Sequence, residues 1–238
     1  MRARWFMAAA AGLWLAAVAQ DGVTGWIART DLPPLALETS IEVVARDGSL
    51  LRAYTVADGR WRMAVTPGAV DAGYLAMLVN YEDKRFRQHP GIDLRAMARA
   101  VGQAVWNGRV ISGGSTLTMQ VARLLEESGT GKVAGKLRQM RVALALERRL
   151  GKDEILSLYL LLAPFGGNLE GVRAASIAYF GKEPGRLTPA EAALLVAIPQ
   201  SPEGRRPDRA PGRAEAARAR VLARAVGDGL IDAEQAEA

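Results

Sequence analysis

The chain has 238 residues, half of them apolar, which is enough for one or two folded domains and excludes a disordered chain. Its 31 Lys and Arg exceed its 25 Asp and Glu, for a net charge of +6. The sequence contains no Cys, which excludes a disulfide scaffold, a cysteine nucleophile and thiolate metal sites. Its single histidine, His89, excludes a histidine-cluster metal centre.

The N-terminal segment is not typical of a globular domain. Arg2 and Arg4 precede an uncharged, mostly apolar run over residues 5–19. Positive charges before such a run place the N-terminus in the cytoplasm and the rest of the chain outside. The run is shorter than the ~20 residues of a spanning helix. The Ala-Val-Ala sequence at 17–19 is typical of signal-peptide cleavage, so a membrane anchor and a cleaved signal peptide both remain open.

After this segment the sequence predicts a β-hairpin and then helices. Asp47-Gly48 is typical of a tight turn between two strands, here over 41–46 and 49–55. Helical spacing and start signals predict helices over 71–85, 92–106, 115–127, 136–150, 152–162, 169–180, 188–198 and 214–226. Ser115 follows two glycines and is the expected N-cap of its helix, and Thr188 opens a capping box. Loops rich in Gly and in Pro and Arg are expected over 128–135 and 199–211, respectively.

Glu82 is the first candidate for chemistry. It lies seven and four residues after Leu75 and Leu78, so a helix directs it along an apolar face, where poor solvation suits a general base. Spacing alone also fits an exposed glutamate near a helix end, which is the more common outcome. His89 precedes Pro-Gly and is expected in a turn, where a structural hydrogen bond is its usual role.

Two polar clusters follow Glu82. Thr116, Gln120 and Arg123 form one stripe of a helix, which could bind an anionic, sugar-bearing ligand or form a solvated face. Lys136 and Arg138 belong to a basic cluster that suits a phosphate or diphosphate, although a solvated basic face is again the alternative. Nucleic acid is disfavoured as a partner, because the chain is exported and its basic residues lack interleaved aromatics.

Five ordered segments carry a family resemblance. Residues 82–91 read E-D-x-x-F-x-x-H-x-G, 113–120 read G-G-S-T-L-T-x-Q, 152–160 read K-x-x-I-L-x-x-Y-L, 179–182 read Y-F-G-K and 191–195 read E-A-A-L-L. Together they resemble the glycosyltransferase family 51 domain, the peptidoglycan polymerase module of class A penicillin-binding proteins. Details such as Gly135-Lys-Leu-Arg-Gln139 are most similar to the 1C branch of that family.

The resemblance implies a mainly α, lysozyme-like, two-lobed domain with a small β-hairpin near its start and an N-terminal transmembrane helix. This favours an uncleaved anchor in the inner membrane, with the catalytic domain on the periplasmic side. The expected segments are 1–30 for the anchor, 31–60 for a linker and hairpin, 61–226 for the glycosyltransferase domain and 227–238 for the start of a truncated C-terminal region.

The resemblance also implies an activity, the polymerisation of lipid II by inverting glycosyl transfer with release of undecaprenyl diphosphate. Glu82 matches the general base, and Arg123 and Lys136 match positions that stabilise the charge of the diphosphate. Thr116 and Gln120 match substrate-contacting positions. The other expected substrate-binding residues are Asp83, Phe86, His89, Ser115, Arg138 and Gln139.

Two departures from the family pattern leave alternatives open. Gln139 replaces a glutamate and Leu161 replaces an asparagine. A glutamine hydrogen-bonds sugar or phosphate but does not bind a divalent cation as a carboxylate does, so a Mg²⁺ or Mn²⁺ ion at the diphosphate is an open expectation. A lipid II-binding scaffold with weak or no catalysis and a lysozyme-like muramidase are the alternatives. The expected partners are lipid II, the growing glycan chain, the membrane and other cell-wall synthesis proteins.

Overall fold

The computed structural model describes residues 2–109, 113–126 and 133–237. Within these ranges the chain is mainly α-helical with two small sheets, which confirms the predicted class. The helices are α1 (Arg2–Ala28), α2 (Ala72–Glu82), α3 (Leu94–Asn107), α4 (Leu117–Leu125), α5 (Val133–Glu147), α6 (Lys152–Leu162), α7 (Val172–Phe180), α8 (Pro189–Ala197), α9 (Pro211–Gly227) and α10 (Ala233–Glu237). The strands are β1 (Glu42–Val44), β2 (Leu50–Ala53), β3 (Trp61–Arg62) and β4 (Leu169–Glu170), and 3₁₀ turns cover Pro67–Ala69, Phe86–Gln88 and Ile198–Gln200.

Two arginines, Arg141 on α5 and Arg148 directly after it, contact the C-terminal end of α1. Arg141 donates to the Trp26 carbonyl oxygen at 2.9 Å and to the Thr30 hydroxyl at 2.9 Å, and its guanidinium lies 4.7 Å from the centre of the Trp26 ring. Arg148 donates to the Thr24 carbonyl oxygen at 3.0 Å. Among the described residues, no helix combines the length and the apolar character needed to cross a membrane.

The predicted hairpin is confirmed. Strands β1 and β2 pair antiparallel, with Glu42 opposite Ala53. The turn between them is closed by Asp47, whose carboxylate accepts from the amide and the hydroxyl of Ser49 at 3.0 and 2.7 Å. Gly48 adopts a φ of 84°, a left-handed conformation that glycine tolerates without a steric penalty.

The second sheet contradicts the prediction of a helix from residue 169. Leu169 and Glu170 form β4, which pairs parallel with β3 through Trp61 and Arg62. Gly171, with a φ of 85°, separates β4 from α7, and a Cβ there would lie 2.7 Å from the Leu161 carbonyl oxygen. The chain therefore requires glycine at this corner, and the helix begins three residues later than predicted.

The core lies among α2, α4, α6 and α8. Tyr74, Leu78, Phe86 and Tyr159 are among its largest side chains, and each is at most 1% exposed. Helix α8 packs against α2 and α9, while α4 packs against α5 and α6. Burial of these side chains fixes α2, and Glu82 is its last residue, at the edge of the core.

Other predicted helix boundaries are close to those observed, but the predicted N-cap of α4 is wrong. Helix α6 has the predicted bounds, and the Thr188 capping box begins α8 as predicted. Helix α4 is capped by Thr116, whose hydroxyl accepts from the Met119 amide at 3.1 Å, and not by Ser115. Of the predicted Gly-rich loop, residues 128–132 lie outside the described residues and 133–135 belong to α5.

Candidate active site

Glu82 is held by two neutral amides that come from different elements. Gln120, on α4, donates from Nε2 to Glu82 Oε2 at 2.8 Å. Gln200, at the end of the 3₁₀ turn after α8, donates from Nε2 to Glu82 Oε1 at 2.9 Å. Each carboxylate oxygen thus has one amide donor and keeps a lone pair for another proton donor.

Two buried phenols lie behind Glu82. The hydroxyls of Tyr74 and Tyr159 are inaccessible to solvent and have no hydrogen-bond partner among the described residues. Burial raises the pKa of the Tyr74 hydroxyl, and the negative charge of Glu82 raises it further. The same two causes, burial first, raise the pKa of Tyr159. Both phenols therefore stay neutral, and Glu82 has poorly solvated surroundings on its inner side.

The residue after Glu82 anchors the turn that completes the first of the five motifs, residues 82–91. Asp83 leaves the helix with a φ of −157°, and its carboxylate oxygens lie 2.9 and 3.0 Å from His89 Nε2. The Gly91 amide donates to His89 Nδ1 at 3.2 Å, so Nδ1 is the acceptor and the ring hydrogen lies on Nε2. Asp83 also accepts from the Leu117 amide at 3.0 Å. This buried chain joins the turn to the start of α4.

The first-motif turn is also fixed at Gly91. The Thr116 hydroxyl donates to the Gly91 carbonyl oxygen at 2.5 Å. Gly91 has a φ of 99°, and a Cβ there would lie 2.8 Å from the Ala143 carbonyl oxygen. The Lys152 ammonium donates to the His89 carbonyl oxygen at 2.7 Å. Glycine is therefore required where this turn meets α5, and the second motif holds the turn through Thr116.

Arg123 and Lys136 form a basic pair beside the second motif, residues 113–120. The Lys136 ammonium donates to the Ser115 hydroxyl. Partial burial lowers the pKa of Lys136, and the neighbouring charge of Arg123 lowers it further. The two cations repel each other, so an anion bound beside them would be stabilised. In the described part of the chain neither forms an ion pair.

Glu82 opens into a cleft of about 670 Å³. Its lining comes from the end of α2, the start of α3, the second motif and the C-terminal third of the chain: Tyr81, Glu82, Asp83, Lys84, Arg85, Asp93, Ala96, Arg99, Gly113, Gly114, Ser115, Thr116, Gln120, Gln200 and Arg224. Four of these residues are cationic and three are acidic. A carboxylate held by neutral amides within a cleft of basic character can take a proton from an incoming hydroxyl while an anionic group is bound nearby.

Comparison with known proteins identifies the family. Residues 47–226, well over half of the chain, match the family described as Transglycosylase. The chain belongs to the transglycosylase family. The matched region contains the cleft, both amides that hold Glu82 and the basic pair.

Individual relatives agree with this assignment. The chain is 53% identical over 193 residues to penicillin-binding protein 1C of Escherichia coli (strain K12), covering 81% of this chain and 25% of that protein. It is 33% identical over 208 residues to penicillin-binding protein 1F of Bacillus subtilis (strain 168), covering 87% and 28%. A crystal structure of penicillin-binding protein 1A from Haemophilus influenzae matches with a TM-score of 0.46 and 20% identity, covering 87% of this chain and 20% of that one. The chain therefore spans about a quarter of the length of the curated relatives it matches.

The transglycosylase cleft brings together part of the predicted site. Asp83, Ser115, Thr116 and Gln120 line it with Glu82. Phe86 and His89 are buried behind its wall, and Lys152 lies 4.5 Å from the centre of the Phe86 ring. Phe86 and His89 thus support the wall of the cleft from the core and do not line it.

The remaining predicted residues lie on and beside α5. Arg138 is exposed, outside the lining of the cleft, and donates from Nε to Glu126 at 2.8 Å. Gln139 is 5% exposed and also lies outside the lining. Arg123 is half-buried, near enough to Lys136 for its charge to affect that group. Arg123 and Lys136 also lie outside the lining, and Lys136 reaches the cleft wall through its contact with Ser115.

Ten lining residues were not predicted as site residues, among them three from parts of the chain outside the motifs: Gln200, Arg99 and Arg224. Arg224, on α9, donates to the Asn80 carbonyl oxygen at 3.0 Å and lies 5.2 Å from the centre of the Tyr81 ring. Gln200 lies within a segment expected to be only a loop, and no local pattern distinguishes it. Chain folding alone brings these residues to the cleft.

Proposed function

We propose that this chain is a peptidoglycan glycosyltransferase, which polymerises lipid II into glycan strands by inverting transfer and releases undecaprenyl diphosphate. The observation that carries the proposal is Glu82, a carboxylate held by the amides of Gln120 and Gln200 in a cleft. Next to this cleft lie Arg123 and Lys136, which form no ion pair within the described residues. Family membership supports the reaction class.

Glu82 is the general base of the proposed reaction. It takes the proton of the 4-hydroxyl of the incoming lipid II while that oxygen bonds to the anomeric carbon of the growing chain. The bond from the anomeric carbon to the diphosphate oxygen breaks, and its electron pair leaves with the diphosphate. Both oxygens accept from amide donors, and each keeps a lone pair that can take the proton of the acceptor hydroxyl.

Arg123 and Lys136 stabilise the leaving diphosphate. Negative charge accumulates there in the transition state, and preorganised cations outside bulk water are effective at stabilising it. The Lys136 ammonium donates to Ser115, which lines the cleft, so this cation lies next to the cleft. We assign Asp83, Thr116 and Gln120 to the wall that receives the sugars, with Phe86 and His89 as its support.

The open expectation of a divalent cation does not fit the groups beside the diphosphate position. The neighbouring side chains there are cations and a hydroxyl, and Gln139 offers a neutral amide. Within the ranges 2–109, 113–126 and 133–237, no three His, Asp or Glu side chains come together as a cation site. We therefore derive no step through a metal and assign charge neutralisation to Arg123 and Lys136.

We propose that the cleft operates at a membrane surface. Helix α3, whose first turns line the cleft, exposes four large apolar side chains: Leu94, Val101, Val105 and Trp106. The exposed aromatic and aliphatic residues of α1, Trp5, Leu13 and Trp14, fit an N-terminal anchor. An inner-membrane position with the two-lobed, lysozyme-like domain on the periplasmic side would bring the cleft to its lipid-linked substrate.

Polymerisation of lipid II by the purified chain in detergent tests the proposal. Wild type is compared with Glu82→Gln and with Glu215→Gln, the same chemical change on an exposed residue of α9. We expect gel-resolved glycan chains from wild type and from Glu215→Gln, inhibition by the phosphoglycolipid moenomycin, and a rate lower by about 10² to 10⁴ in Glu82→Gln. Lipid II binding without product in wild type would instead establish the scaffold, and cleavage of glycan strands without any lipid-linked substrate would establish the muramidase.

A further inference from the structure

The second amide on Glu82 has a support of its own. Gln200 Oε1 accepts from Arg205 Nη1 at 3.0 Å, and the same nitrogen donates to the Ala197 carbonyl oxygen at 2.6 Å. We propose that Gln200 is a positioning residue for the general base and that Arg205 holds Gln200 in its working orientation. This inference rests on the proposed function of Glu82.

Arg205 determines which way the Gln200 amide points. A guanidinium has only donors, so the group it contacts must be the amide oxygen. The amide nitrogen is then directed toward Glu82 Oε1, where it donates at 2.9 Å. The reversed amide would bring its nitrogen against the guanidinium and its oxygen against a carboxylate. Arg205 thereby favours the one orientation in which Gln200 stabilises the anion.

The two amides restrain the carboxylate from opposite sides. Gln120 approaches from α4, which packs on α5 and α6, whereas Gln200 follows α8, which packs on α2 and α9. A side chain held at both oxygens cannot rotate about its terminal bond without losing a hydrogen bond. Its lone pairs are therefore aimed before the acceptor hydroxyl arrives, which reduces the entropic cost of the reacting geometry.

The amide of Gln200 also supplies a hydrogen bond to a carboxylate that has poorly solvated surroundings. Glu82 lies near the buried hydroxyls of Tyr74 and Tyr159, which give it no hydrogen bond, whereas the Gln200 amide donates one to its charged oxygen. Other charged or titratable groups share the cleft with Glu82: Tyr81, Asp83, Lys84, Arg85, Asp93, Arg99 and Arg224. Removal of Gln200 leaves all of them in place, so its effect on the base can be measured separately.

Kinetics of Gln200→Leu test the proposal, with Gln235→Leu on the exposed helix α10 as the matched control. We expect Gln200→Leu to lower kcat about tenfold, with little change in KM for lipid II, because it removes one hydrogen bond to a charged group. The acidic limb of its kcat/KM profile should move to higher pH. Arg205→Lys, which keeps a donor near Ala197, should lose less activity than Arg205→Leu. The control should match wild type.

A double-variant comparison separates positioning from a general loss of structure. If Gln200 acts through Glu82, adding Gln200→Leu to Glu82→Gln has no further effect on the residual rate. Wild-type kcat and an unchanged pH profile in Gln200→Leu would overturn the inference, while polymerisation by wild type would still support the proposed function. Independent, multiplicative losses in the double variant would overturn it as well. If wild type makes no glycan, the proposed function itself has failed.

Discussion

Glu82 and Glu170 are each held by two nitrogen donors, but the charge of those donors differs. Glu170 accepts from Arg62 Nε at 2.5 Å and from Arg60 Nη1 at 2.8 Å, so two guanidinium groups neutralise it. Glu82 accepts from two neutral amides. The first arrangement ties β3 to β4, whereas the second leaves a full negative charge facing a cleft. The comparison separates a carboxylate that holds the fold together from one available for chemistry.

The largest expected effect is on catalysis and comes from replacing Glu82. Glu82→Gln keeps the shape of the side chain but removes the base, so we expect kcat to fall by about 10² to 10⁴. The thermal midpoint should change little, because the two partner amides can still bond the new amide after reorientation. Polymerisation assays beside calorimetry measure both quantities. Near-wild-type turnover in this variant would contradict the assignment of Glu82.

Lys136 gives the next largest effect, because it contacts Ser115 in the cleft wall and is proposed to stabilise the leaving diphosphate. Lys136→Met should lower kcat by about 10² through the loss of one preorganised cation. Burial and Arg123 lower the pKa of Lys136 from its usual 10.5. The ammonium therefore loses its charge, and the enzyme its activity, at a lower pH than an ordinary lysine would dictate.

Lys136→Arg sharpens this pH prediction. Arginine stays charged throughout the range, so we expect the alkaline fall in kcat to shift to higher pH in this variant. The matched control is Lys182→Arg, at a lysine that pairs with Glu191 and lies outside the cleft lining. An alkaline limb that is identical in wild type and Lys136→Arg would show that another group titrates there.

Glu170→Gln tests the other carboxylate and should affect stability rather than catalysis. It leaves Arg62, which is 7% exposed, without its buried anionic partner, and we expect the free energy of unfolding to fall by about 3 kcal/mol. Asp58→Asn, at the exposed end of the same network, should cost less than about 1 kcal/mol. Urea denaturation gives both values. The kcat of the folded fraction should remain that of wild type, and a selective loss of kcat would contradict the structural role of Glu170.

The two regions also differ in how far the sequence predicts them. The hairpin turn at Asp47 and the helix over 152–162 carry local signals, and the structure confirms both. Strand β4 has two residues, too few for a period, and its partner β3 lies more than a hundred residues earlier in the chain. Pairing across that separation is a tertiary effect, which local propensity does not encode.

The candidate site shows the same limit. Glu82 was identified through its spacing and its motif, but spacing could not show which groups would surround it. Ser115 and Thr116 are both good capping residues, and the sequence does not show which of them precedes the first helical residue; in the folded chain Thr116 caps α4 and Ser115 contacts Lys136. Gln200 has no local signature, because its role comes from contacts with Glu82 and Arg205 that form only in the folded chain.

The smallest expected effect tests whether the helix that leads to Gln200 can be weakened without disturbing the base. Thr188 caps α8 by accepting from the Glu191 amide, and Thr188→Ala should lower the free energy of unfolding by about 1 kcal/mol. We expect no change in kcat, because Leu195, Val196 and Ile198 are fully buried and hold the far end of α8 independently of its first turn. Thr188→Ser, which keeps the hydroxyl, should restore the stability. A fall in kcat without global unfolding would mean that the cap also sets the position of Gln200. Helix α8 would then belong to the site as well as to the scaffold.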